Sequence, residues 1–192
     1  MTIWTVQSGE ALDYLEKNGT LRNNGFCMDN DYSDAYSWMS KQLSEKTSPA
    51  PEGAVYPIWG WIRYGGKPFS SRKYDYEDGM VLIKAEVPDD MILASDFDEW
   101  HFVLDNLPHD CMPEAVEALE RWFDERKSPI DPRPEYVQQK VEQSWQGIFH
   151  DEGDTVQGVC WELKKEWILE VTPLKKPLLR RIRERLARKI QH

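Results

Sequence analysis

The residues able to do chemistry in this chain are scattered carboxylates, four histidines and three cysteines, and the densest group of acidic and aromatic side chains is Ser95–Asn106, SDFDEWHFVLDN. If this stretch is helical, His101 lies beside Asp98, three residues earlier, and Asp105, four residues later. Two carboxylates beside one imidazole favour the protonated ring, and a carboxylate-oriented histidine is a common way for an enzyme to hold a proton donor. Asp98 and His101 are therefore candidate catalytic residues. Helix surfaces also carry such charge pairs for slight stabilisation alone, and Asp96 suits a helix cap better than a catalyst. His109, Asp110 and Cys111 have metal-binding side chains, but no further ligands stand at coordinating spacing, so no metal site is predicted. Gly65–Gly79 is a long polar loop holding Lys67, Arg72 and Lys73 as possible anion contacts, and its Gly-Gly-Lys-Pro departs from the phosphate-binding loop pattern. Hydrolase signatures such as G-x-S-x-G and H-E-x-x-H do not occur.

These groups must be positioned by a fold whose elements can be read locally. Ile3–Gln7 (IWTVQ) is a predicted strand; Ser8 caps a helix carrying Ala11, Leu12 and Leu15, which stops at Asn18-Gly19. A second helix starts at Ser33, with Ala35, Met39 and Leu43 on one side and Tyr36 and Trp38 beside them, and Ser44–Gly53 reads as a connector. Val55–Tyr64 alternates as a strand in which Pro57 and Gly60 imply an edge, a bulge or a close backbone approach. Val81–Val87 is the clearest strand, closed by the turn Pro88-Asp89-Asp90, and Met91–Ala94 resumes an apolar run. Asp96 and Glu99 then form a capping-box pattern before a helix striped by Trp100, Val103, Leu104 and Leu107. Helices follow over 113–127 and 135–146, the latter ended by Gly147, then strands over 155–163 and 167–171.

Length and composition suit one soluble globular domain of 192 residues, 40% hydrophobic and 30% charged. No stretch reaches the roughly 18 apolar residues of a membrane span and no secretory leader pattern opens the chain, so a cytoplasmic protein is expected. Cys27, Cys111 and Cys160 are widely spaced without C-x-x-C, the pattern of reduced thiols. The net charge of −10 is uneven: residues 161–192 hold ten Lys or Arg against four Glu, or +6, leaving −16 for the first 160. An acidic body disfavours broad contact with nucleic-acid phosphates. The exception is a basic amphipathic helix at 174–192, able to dock on the body, meet a protein or nucleic acid partner, or lie against acidic lipid.

Strands and helices do not alternate regularly, and no glycine-rich fingerprint follows a strand. The expected fold class is therefore α+β, a mixed or antiparallel sheet flanked by helices within a single domain over residues 1–173. The motifs IWTVQ, EVPDD, SDFDEWHFVLDN, SWQGIFHD and VQGVCWELKKEWILEV together resemble a bacterial domain family of unknown function, over most of residues 1–171. A more distant similarity is to ADP-ribosyltransferases, including DNA-targeting ones. There a first strand with a polar residue, a helix, then Gly and Leu precede a late strand beginning V-Q-A-E; here Val6-Gln7, a helix, Gly19 and Leu21 precede Val156-Gln157-Gly158-Val159. This resemblance implies an ADP-ribosyltransferase-like fold with Gln7 and Gln157 in an NAD or nucleotide pocket, joined by Arg22 and with Trp4 and Tyr36 stacking on the ligand. The family's catalytic glutamate falls on Val159. Glu162 is the substitute carboxylate, and strand alternation points it away from Gln157 unless a bulge or a different register intervenes. The alternative is a non-enzymatic regulatory module that binds protein or RNA through a tryptophan-rich surface and the basic terminal helix. Trp59 and Trp61 share one strand face and would anchor it if exposed.

Overall fold

The computed structural model describes residues 1–25, 30–69 and 78–175. The anchor is β1 (Thr2–Ser8), in which Ile3 and Thr5 are buried and Trp4 and Val6 half-buried on the other side, the alternation of a strand with two covered faces. The side chain of Ser8 accepts the N–H of Ala11 to start α1 (Gly9–Asn18), and Gly19 at φ 79° donates its N–H to Leu15 to end it. Both termini follow the sequence signals, because capping is decided within a few residues. Short β2 (Thr20–Arg22) comes next, then α2 (Ser33–Lys46), which runs three residues into the predicted connector.

β3 (Ile58–Arg63), β4 (Met80–Glu86), β5 (Leu93–Asp96), β6 (Val156–Cys160) and β8 (Ile168–Pro173) join β1 in a six-stranded sheet ordered β5-β6-β3-β1-β4-β8, every neighbouring pair antiparallel. β7 (Glu162–Lys164) pairs instead with β2 in a two-stranded sheet. The predicted strand 155–163 is thus two strands, divided at Trp161. Gly60 in β3 is where two backbones come close: a Cβ there would stand 3.0 Å from Ile3 Cδ1, and the register of β3 on β6 slips between Trp61 and Arg63.

One sheet face carries Ile3, Ile58, Ile83, Ala85 and Cys160, buried with Leu15 of α1 and with Leu21 and Leu163 of the small sheet. The other face carries Trp59 and Val159 under a helical layer. That layer comprises α2, α3 (Trp100–Leu104), α4 (Pro113–Glu125) and α5 (Glu135–Ser144), contributing Met39, Trp100, Leu119, Val137 and Val141. Farther along the same face, Trp4 and Trp61 pack with Phe69, Leu82 and Leu174.

Three local expectations are corrected. The helix after Asp96 is short, Trp100–Leu104, and the capping box does not form: Asp96 Oδ1 accepts the N–H groups of Asp98 and Glu99, while the Glu99 carboxylate turns to two histidines. Gly147 does not terminate α5; it sits in the following 3₁₀ turn, where a Cβ would meet Cys111 Sγ at 2.6 Å and His109 Nδ1 at 2.9 Å. The last strand, predicted over 167–171, runs on to Pro173. Cys27, Arg72, Lys73 and all but the first two residues of the expected helix 174–192 lie outside the described residues.

Candidate functional site

The division of the late strand at Trp161 decides where Glu162 goes. Leaving β6, the chain enters β7, and the antiparallel register sets Glu162 directly opposite Arg22 on β2. Arg22 donates from Nε at 2.9 Å and from Nη2 at 2.7 Å, both to Glu162 Oε2. The other oxygen, Oε1, has Lys164 Nζ at 3.6 Å. The carboxylate is nearly enclosed, 10% exposed, while the Arg22 side chain is 40% exposed and its Nη1 donates to the Glu52 carbonyl at 3.3 Å. A fixed carboxylate beside a half-open guanidinium can oppose a developing positive charge and hold a phosphate at the same place.

A second concentration of polar atoms lies on the aromatic sheet face. Ser95 on β5 stands opposite Gln157 on β6, which stands opposite Trp61 on β3, which stands opposite Trp4 on β1. Ser95 Oγ, Gln157 Nε2 and the neighbouring Trp59 Nε1 are all buried and, among the described residues, lack a hydrogen-bond partner. The indoles of Trp145 and Trp161, by contrast, donate to the carbonyls of Leu107 and Ser48. Aromatic rings wall this row. Trp61 stacks on Phe69 and leans on Phe97 at 4.9 Å; Trp59 leans on Trp100 at 5.1 Å; Tyr36 stands edge-on to Trp59 at 5.6 Å. Lys84 Nζ lies 5.6 Å over the Trp4 ring.

Two groups thus emerge among the residues singled out from the sequence. Arg22 and Glu162 meet in the small sheet; Trp4, Tyr36 and Gln157 share the aromatic side of the large one. Gln7 joins neither. It stands opposite Val81, three residues from Trp4, and so points to the other sheet face, where its amide donates to Thr5 Oγ1 at 2.8 Å. The structure does not bring Gln7 and Gln157 together. His101 is exposed, and its Nδ1 lies 3.1 Å and 3.2 Å from the carbonyls of Phe97 and Asp98 rather than against the flanking carboxylates. Among the described residues no ion pair links His101 to Asp98 or Asp105.

The histidine–carboxylate contacts that do form link Glu99, expected to cap its own helix, to His109 and His150. Glu99 Oε2 lies 2.7 Å from His150 Nε2 and 3.3 Å from His109 Nε2, tying the start of α3 to two loops. His109 Nδ1 accepts the Cys111 N–H, so the proton of the neutral ring is on Nε2. Ser95 was missed as a site residue; the available signal was a lone hydroxyl on the covered face of an apolar run. Among the described residues no group of three or more His, Cys, Asp or Glu is arranged to hold a metal ion. None of the nine tryptophans is exposed: Trp59 and Trp61 are half-buried beneath other rings, which leaves no open tryptophan platform for a partner.

Burial also fixes one thiol. Desolvation pushes the Cys160 pKa up from 9.0 to about 12, against a backbone hydrogen bond that lowers it. The folded protein therefore keeps this thiol protonated where the unfolded chain ionises it, so the stability it contributes is intact below pH 9 and declines as pH rises beyond it. Cys160 should stay unmodified by a thiol reagent at pH 8 until denaturant is added, while exposed Cys111 reacts; peptide mapping of the modified cysteines checks both.

Comparison with known proteins places the chain. No curated protein sequence matches it. Two solved structures overlap weakly: DarT of Thermus sp. 2.9 in complex with NAD+, at 10% identity and TM-score 0.35 over 99% of this chain and 88% of that one, and the same protein in complex with ADP-ribosylated single-stranded DNA, at 10% identity and TM-score 0.33 over 97% and 88%. TM-scores of this size do not by themselves establish a shared fold. No helix among the described residues is long and apolar enough to cross a membrane. One family model, described as Domain of unknown function (DUF3841), matches residues 2–169, nearly the whole described body, and the chain belongs to that family.

Proposed function

We propose that this chain is a nucleotide-binding domain of the ADP-ribosyltransferase type, taking NAD or a related nucleotide, with Arg22 and Glu162 at its polar centre. The observation that carries this reading is the Arg22–Glu162 pair. The resemblance places its carboxylate at Val159, and the division at Trp161 gives the substitute three residues on, Glu162, a fixed, nearly enclosed position held by two N–H donors on one oxygen. When bound, NAD supplies an ADP-ribosyl group with nicotinamide as the leaving group. The chain's own part is electrostatic: Glu162 faces the charge that develops at the ribose, and Arg22, still half-open, meets the diphosphate. Gln157 and its unpartnered neighbours fit the same ligand class, since buried donors without partners are rare in folded proteins unless water, a ligand or a reaction uses them. Gln7 has no part in this reading.

The test is calorimetric titration with NAD and, in parallel, ADP-ribose, followed by a nicotinamide-release assay. Saturable binding of both by the wild-type protein is expected. Glu162→Gln keeps an oxygen for Arg22 and should still bind ADP-ribose, while nicotinamide release falls by about 100-fold or more, the scale of losing a preorganised charge. Absence of heat with both ligands would remove the proposal.

A further inference from the structure

The unpartnered groups on the aromatic face have a common geometry. Ser95 is fully buried and Gln157 is 6% exposed, directly opposite one another across β5 and β6. On the sheet face they share, Trp61 and Phe97 lie to one side, and Trp59 with Trp100 lie one register step along, since Trp59 is opposite Val159. Gln157 Nε2, Ser95 Oγ and Trp59 Nε1 all end in this row without a hydrogen bond. Orphaned buried polar groups are costly and rare in folded proteins, and three of them lie on this one strip.

We propose that Gln157 and Ser95 form a nucleobase subsite that reads an adenine-type edge between these aromatic pairs. The inference rests on the nucleotide reading above and assigns the base end of the ligand, apart from the Arg22–Glu162 pair. A glutamine amide offers a donor and an acceptor side by side, the pattern that pairs with the exocyclic amine and ring nitrogen of adenine, and a serine hydroxyl adapts to either role. The aromatic walls supply the sequence-tolerant half of recognition, since every base has a face that stacks on an aromatic ring. Gln157 lies on β6 of the large sheet and Glu162 on β7 of the small one, so the two are assigned to different parts of one ligand, and a dinucleotide has a base at one end and a reacting ribose towards the other.

The segment leading into β6 is tied down on several sides. Arg63 donates to the carbonyls of Asp151 and Gly153, Gly66 N–H to that of Asp154, and Phe97 N–H to that of Thr155, so residues 151–155 are fastened to β3, the turn after it and the end of β5. Thr155 lies two residues before Gln157 on the strand.

Adenosine is the probe, because it carries the base and lacks both the nicotinamide and the phosphates. Calorimetric titration of the whole chain should give saturable binding, weakened at least tenfold by Gln157→Leu and a few-fold by Ser95→Ala. Neither variant should melt lower than wild type, because each removes a buried polar group that has no partner to lose. No binding of adenosine by the wild-type protein would overturn the subsite. So would wild-type affinity in Gln157→Leu, or a clear drop in its melting temperature, which would mean that the amide serves packing. If adenosine binds through Gln157 while NAD and ADP-ribose do not, the transferase reading fails and the base subsite stands. If NAD binds and adenosine does not, the subsite fails and the transferase reading stands.

Discussion

Arg22→Ala should destabilise the protein by about 2 kcal/mol, measured as a shift of the urea midpoint at unchanged slope. Removing the guanidinium leaves Glu162 with its side chain only 10% exposed and one remaining cation, Lys164, at 3.6 Å. Breaking a fully buried pair from one side typically costs about 3–5 kcal/mol; the Arg22 end is 40% exposed, which admits water and lowers the figure. The cost belongs to the stranded carboxylate, and replacing both members tests this. Arg22→Met with Glu162→Leu should recover most of the loss, because an apolar pair of similar volume carries no desolvation penalty. Were the double variant as unstable as Arg22→Ala, the pair would be acting through backbone packing of β2 on β7, and Glu162 would lose its standing as a fixed charge.

Gly153→Ala is the second large effect, at about 2 kcal/mol or more. A Cβ at this position would overlap Asp96 Oδ2 and stand 3.0 Å from Asp96 Cγ. Asp96 cannot swing aside freely: it is 7% exposed, and its other oxygen holds the N–H groups of Asp98 and Glu99 at 2.8 Å and 3.0 Å. The loop cannot retreat either, because Arg63 Nε grips the Gly153 carbonyl at 3.0 Å. Asp96→Ala alone should cost about 1 kcal/mol through the lost acceptor. In combination the two should fall well short of additive, since the alanine at 96 removes the obstacle that the alanine at 153 meets. Thermal denaturation of the two single variants and the double variant gives the coupling directly, and full additivity would mean that the contact is not the cause.

The parts of this protein written in short stretches of sequence are recognisable before folding. Ser8 and Gly19 bound α1 as their chemistry requires, and the alternation of β1 and β4 declares two-faced strands. An α+β chain with an antiparallel sheet and helices at its sides follows from the order of such segments. Local signals were misleading where a distant group competed for the same atoms. Glu99 would cap its own helix were the histidines at 109 and 150 not beside it, and the interior of α3 is shortened where the chain turns to meet them. Gly147 looks like a terminator in sequence, yet its smallness serves the sulfur and imidazole pressed against it.

The candidate site divides along the same line. That Gln157, Glu162 and Arg22 deserved notice came from the resemblance of their motifs to ADP-ribosyltransferases; that Arg22 and Glu162 touch, 140 residues apart, while Gln7 and Gln157 face away from one another, depends on strand register. Side chains alternate with a period of two, so a single break or slip transfers a residue from one sheet face to the other. The interruption at Trp161 does this for Glu162, and no local pattern states which strand will receive it. By itself the sequence determined the caps, the alternating strands and the acidic body. The pairing of β7 with β2 decided the charged centre, and the pairing of β5, β6 and β3 decided which polar groups would be buried together without partners, because both arise from contacts between segments that have no memory of each other along the chain.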